Sequence, residues 1–173
     1  MDRVNKILAH GLFQKYVSKT KEYEENRIFC KHDMCHLLDV CRIAEILWLE
    51  YRIAVREKTN KECHRFHEVQ KEYIYAAGLL HDIGRWQEYE SGVRHEIAGS
   101  KLAPEILEDC GFDEDEIVAI TSAILNHRNK EIQNENNLSG WIYRADKKSR
   151  ACFACDAESL CDWSREKKNL KLT

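Results

Sequence analysis

Six residues of two chemical kinds fall where a helical protein normally keeps hydrocarbon. His36, His81, Asp82, His95, His127 and Asp146 each end or interrupt an otherwise apolar helical run. In "HLLDVCRIAEILWLEYRIAV" the apolar Leu37, Val40, Ile43, Ala44, Leu47 and Tyr51 recur at helical spacing, which puts His36 at the buried edge of a long helix. "AAGLLHDIGRW" places the adjacent His81 and Asp82 in the last turn of a helix that should run from about Phe66 to Ile83, with Gly84 as a left-handed stop. His95 is in register with Ala98, Leu102 and Ile106, His127 lies three residues beyond Ile124, and Asp146 lies four beyond Ile142. A buried carboxylate costs several kcal/mol unless it is paired or ligated, so two carboxylates and four imidazoles on inward faces need a shared partner. A metal centre supplies one. Imidazole and carboxylate suit zinc, manganese, iron and nickel, and a carboxylate such as Asp82 can bridge two ions held about 3.5–4 Å apart.

The elements that must position these groups are helices. The 173 residues at 43% hydrophobic content suffice for one domain, 1–173, with a sizeable core. One proline and seven glycines among 33% charged residues leave too little turn punctuation for a strand-rich fold. The pattern predicts an all-α single-domain bundle of five or six helices. "MDRVNKILAHGLFQKYV" reads as one amphipathic helix and not as a signal peptide. "DEDEIVAITSAILNH" opens with Asp113 and Glu116 in capping-box spacing. Pro104 should kink its helix or begin a second one, Gly111 should stop it, and Asn129 to Ser139 reads as a loop.

A net charge of -3 with interspersed signs gives no general attraction for nucleic acid or an anionic membrane, and no membrane-spanning run occurs. The expected partner is a small molecule, while a homo-oligomer is left open. Eight cysteines without secretory targeting point to reduced thiols and a cytoplasmic location.

His36 heads an H-x-x-x-V-x-x-x-A pattern through Val40 and Ala44, "GLLHDIGR" supplies the His-Asp doublet, and "RADKKSR" closes with Asp146. In these motifs, spread over a core of residues 27–150, the chain resembles the HD-domain superfamily of metal-dependent phosphohydrolases. His95 in "HEIAGS" and His127 in "ILNHR" match the two additional histidines of the subgroup with a dinuclear site. The resemblance implies that His36, His81, Asp82 and Asp146 hold a first ion, and that Asp82 bridges to a second ion on His95 and His127. It further implies hydrolysis of a small phosphate ester or phosphoanhydride, such as a nucleotide or dinucleotide. A cation serves that chemistry by lowering the pKa of water from 15.7 towards about 7. Relatives with the same donors include di-iron oxygenases. A non-catalytic sensor, docking through the charged segment Arg56 to Glu68, is a third reading.

An anionic substrate needs cations, and Arg85, Lys147 and Arg150 are the candidates beside the motifs. Asp82 and Arg85 are thus the expected catalytic residues. His32, four residues before His36, is expected to touch substrate or support the ligands, while Glu88, Glu90 and Glu96 are all within reach as a general acid. His10, His64 and His67 match no motif and read as solvated surface. In the tail, residues 151–173, Cys152, Cys155 and Cys161 stand in C-x2-C-x5-C spacing. They read as free cysteines of a helical tail, the alternative being zinc or a cluster bound with a fourth ligand such as Cys30 or Cys35.

Overall fold

A 26-residue helix forms one side of the bundle and packs on two others. The computed structural model describes residues 1–59 and 71–171. Among these, eight α-helices occur and no strand: α1 (Asp2–Ala9), α2 (Gly11–Tyr23), α3 (Met34–Thr59), α4 (Lys71–Leu80), α5 (Arg85–Ser91), α6 (His95–Asp109), α7 (Glu114–Asn126) and α8 (Leu138–Lys148). Helix α3 packs on α4 and α8, α7 joins α6 to α4 and α8, and α5 lies between α6 and α2. Leu37, Val40 and Ala44 of α3 meet Ile74, Ala77 and Leu80 of α4, Ile120 and Ile124 of α7, and Trp141 and Ile142 of α8 in one core. Each fully buried Leu or Ile contributes about 1.5–3 kcal/mol relative to exposure. The all-α architecture agrees with the periodicity. No described helix is long and apolar enough to cross a membrane.

The helix count exceeds five or six because two short helices are set off locally. The N-terminal segment is not one helix: His10 adopts an extended conformation, and its Nδ1 accepts from the Leu12 amide at 3.2 Å to begin α2. That half-buried imidazole also contacts Asp109 at 3.1 Å, so His10 is a cap and not solvated surface. His64, His67 and most of the Arg56 to Glu68 segment lie outside the described residues.

Gly84 is required for closeness, not for handedness. Its backbone is right-handed, with φ -84°, but a Cβ there would stand 2.4 Å from the Gly99 amide nitrogen and from the His95 carbonyl oxygen. The missing side chain lets the turn after α4 press against the start of α6. Helix α4 ends at Leu80, so His81 and Asp82 lie in the turn beyond it rather than in its last turn. Pro104 neither splits nor restarts α6, which continues to Asp109 and closes at Gly111 with φ 87°. The segment 129–139 holds a short 3-10 turn, Lys130–Ile132, and the start of α8. The tail is not helical in the α sense; it forms three 3-10 turns.

Candidate metal centre

The six donors sit mostly at helix ends, where side chains from several helices can converge. Asp33 caps α3 by accepting from the His36 amide at 3.1 Å, which fixes His36 in the first turn. His81 and Asp82 follow α4, His95 opens α6, and His127 caps the C-terminus of α7. Helix α7 begins with the expected capping box between Asp113 and Glu116. Asp146 belongs to α8 and, like His81, Asp82, His95 and His127, is buried.

These residues meet around the Asp82 carboxylate. Its Oδ2 lies 3.2 Å from His81 Nε2 and 3.4 Å from His36 Nε2. Its Oδ1 faces the other way, 3.2 Å from His95 Nε2 and 3.8 Å from His127 Nε2. Within each pair the rings also converge, with Nε2 atoms 3.3 Å apart for His36 and His81 and 3.1 Å apart for His95 and His127. Asp146 stands at the edge of the first group, its Oδ1 3.7 Å from His36 Nε2.

The far side of each ring decides what these nitrogens can do. His81 Nδ1 is 2.7 Å from the Gly78 carbonyl and His127 Nδ1 is 2.6 Å from the Ile124 carbonyl; carbonyls only accept, so both Nδ1 atoms carry the proton. His95 Nδ1 is bonded to the Glu88 carboxylate. Ser149 Oγ gives its own proton to the Asp146 carbonyl and so accepts from His36 Nδ1 at 3.3 Å. In the neutral rings, four Nε2 lone pairs therefore point at two carboxylate oxygens. Such an arrangement is repulsive without a cation between the atoms, and it is the orientation that metal-ligating histidines receive from their supporting groups. Asp82 Oδ1 is moreover buried without a hydrogen-bond donor. The donor set fits divalent ions.

Electrostatics agree with that fit. Burial, followed by the neighbouring His81, pushes His127 down to about 3, and burial likewise lowers His95; both shifts favour the neutral form that ligates a metal. Burial opposes charge on Asp82, but His81 and Arg85 hold it well below the usual carboxylate range. Burial also opposes charge on His81, yet Asp82 raises it, so a proton on His81 Nε2 is the natural competitor of a metal there.

The expected substrate groups border the same carboxylates. Arg85 Nη2 is 3.6 Å from Asp82 Oδ1, Arg150 Nη2 is 3.6 Å from Asp146 Oδ1, and the Lys147 ammonium bonds Asp146 Oδ2. His32 is buried, with Nε2 3.9 Å from Asp82 Oδ2. Of the acids weighed above, Glu88 is engaged with His95, Glu96 is buried and paired with Arg94, and Glu90 is exposed.

Three supporting residues escaped the sequence reading. Glu24, only 2% exposed, binds the His32 ring through Oε1 and accepts from the His32 amide at 2.7 Å. Tyr89 donates to Glu24 at 2.6 Å, and Ser149 orients His36. In the charged run "KTKEYEENR" nothing distinguishes Glu24 from Glu22 or Glu25.

The HD-domain family model matches residues 34–161. A protein of Clostridium beijerinckii, described as an uncharacterized protein, is 40% identical over 172 residues, covering 99% of each chain. No solved structure matches the chain.

Proposed function

The chain belongs to the HD-domain family, and on that premise we propose that it is a metal-dependent phosphohydrolase that cleaves a small phosphate ester or anhydride, with nucleotides and dinucleotides as the leading substrate class. The observation that carries this reading is the division of Asp82, whose two oxygens address two separate histidine pairs. One carboxylate serving two positions is what a bridged pair of ions requires. His36, His81 and Asp146 would hold the first ion with Asp82, and His95 and His127 the second. Iron, manganese, zinc and nickel all suit these donors. Two such ions supply Lewis acidity, bringing the pKa of water to about 7 and withdrawing charge from phosphoryl oxygens.

The protein's own part is to bind and orient an anion. Arg85 Nε and Arg150 Nη1 are buried donors without partners, which favours an anionic ligand beside them. Arg85, Arg150 and Lys147 would grip the phosphate, and His32, held by Glu24, would keep Arg85 aimed at it.

The test is metal analysis of the purified protein together with a phosphoester panel, following both phosphate release and oxygen consumption. Metal-dependent phosphate release supports the reading. Oxygen uptake by an iron-loaded protein that releases no phosphate overturns it in favour of an oxygenase. Inertness of the metal-replete protein in both assays overturns it in favour of a sensor.

A further inference from the structure

Outside the histidine centre, a second set of metal-type donors gathers at the C-terminal tail. The chain from Cys152 to Cys161 is two successive tight turns. Cys152 opens the first, Cys155 closes it with its amide 3.3 Å from the Cys152 carbonyl, and Cys161 closes the second with its amide 3.2 Å from the Glu158 carbonyl. The tail then folds back. Lys168 Nζ binds the Glu158 carbonyl and carboxylate at 2.9 Å each, and Asn169 Nδ2 binds the Lys147 carbonyl at 2.7 Å and the Arg150 carbonyl at 2.9 Å.

This ordered segment has almost no core of its own. Ala157 is its one buried apolar residue, while Phe153 and Leu160 are 49% and 68% exposed. A short segment with so little apolar burial gains most from a further constraint, of which disulfides and metals are the common forms. No disulfide is present among the described cysteines.

A fourth thiol comes from far away in sequence. Cys30 lies in the segment before α3, and its charged and ionisable neighbours there are Arg150, Cys152 and Cys155, so its thiol faces the tail. Lys168, held first by Glu158, also feels Cys161 and Cys152. Four thiols and two cations thus share one neighbourhood, and the cations suit the net negative charge of a thiolate-ligated centre. A single tetrahedral zinc ion, with Zn–S about 2.3 Å, holds its sulfurs about 3.8 Å apart. Among the described residues, donor sets closed to within 4.8 Å occur at the histidine centre and not among these thiols. A four-iron cluster, in which each thiolate binds a different iron, holds its sulfurs farther apart than a single zinc ion does and so does not ask for that closeness.

We propose that Cys30, Cys152, Cys155 and Cys161 ligate a four-iron, four-sulfide cluster that staples the tail to the segment preceding α3. The staple reaches the catalytic face at two points. Cys30 lies two residues before His32, and Arg150 stacks on Trp163 of the tail at 4.0 Å while pairing with Asp146. The cluster is therefore a positioning device for His32 and Arg150, and its existence does not depend on the reaction at the histidine centre.

The full-length protein, purified anaerobically, should contain acid-labile sulfide at about four per chain and show broad visible absorption. Sulfide is the decisive readout because the histidine centre can bind iron without it. The double variant Cys152→Ser/Cys155→Ser and the variant Cys30→Ser should each lose sulfide and colour, while metal bound at the histidine centre persists. Cys35→Ser should keep both. Absence of sulfide from the unsubstituted protein, whether the thiols are empty or carry zinc, overturns the proposal without relying on the folding of any variant. So does sulfide retained in the double variant, and a loss in Cys35→Ser combined with retention in Cys30→Ser overturns the choice of fourth ligand.

Discussion

Arg85 donates through Nη2 to Nε2 of His32 at 2.8 Å. Because a guanidinium only donates, His32 must accept at Nε2, and its Nδ1 proton goes to Glu24. A buried carboxylate thereby fixes a neutral imidazole, and the imidazole fixes a cation 3.6 Å from Asp82.

Arg85→Ala should leave metal stoichiometry unchanged and lower the specificity constant for a phosphate-releasing substrate. A charge-assisted hydrogen bond contributes about 1.5–3 kcal/mol, so the expected loss is about 10- to 150-fold, with Arg85→Lys recovering only part. Unaltered turnover in steady-state assays would return Arg85 to the structural background.

Glu24 also gives the fold a defined acid sensitivity. Burial opposes its charge, but the hydrogen bonds from the His32 ring, from Tyr89 and from the His32 amide hold the folded carboxyl below its ordinary 4.5. Below about 4.5 the unfolded chain takes up the proton first, so this stabilisation is complete above about 4.5 and is lost as pH falls through the lower folded value. Urea unfolding across that window should show a shallower pH slope for Glu24→Gln than for the natural protein; equal slopes would contradict the assignment.

Metal counting tests the bridging role proposed for Asp82. Asp82→Asn removes the charge shared by both histidine pairs and should abolish binding of both ions and turnover together. His127→Ala should instead leave about one ion per chain, because His36, His81, Asp82 and Asp146 remain. Elemental analysis of the folded variants checks both, and two ions retained in either would contradict the bridged arrangement.

Gly84→Ala tests the close approach of two backbones. Its Cβ would meet the Gly99 nitrogen and His95 oxygen at 2.4 Å, so the turn carrying Asp82 must move away from the start of α6. Overpacking of this kind costs about 1–3 kcal/mol. Thermal unfolding should show that loss, and occupancy of the ion proposed between Asp82 and His95 should fall with it. An unchanged melting temperature would show that the turn yields freely.

Local chemistry made much of this protein readable before any coordinates. The 3.6-residue spacing around Leu37, Val40 and Ala44 announces which side of α3 is buried, and the Asp113–Glu116 pair announces where α7 begins, because each depends on residues within a turn of one another. The same periodicity puts six polar donors on inward faces, where burial demands a partner. The Nδ1 bonds of His81 and His127 are likewise local, each to a carbonyl three residues earlier. Only the tertiary structure decides which inward faces meet. Periodicity says that a face is covered and not by what, so the split of the Asp82 oxygens between two histidine pairs, the support of His36 by Ser149, and the approach of Cys30 to the tail emerge from packing alone. Glu24 is the clearest instance: in a charged run it looks like its neighbours, and it is buried because α5 and the segment before α3 bring Tyr89 and His32 to its carboxylate.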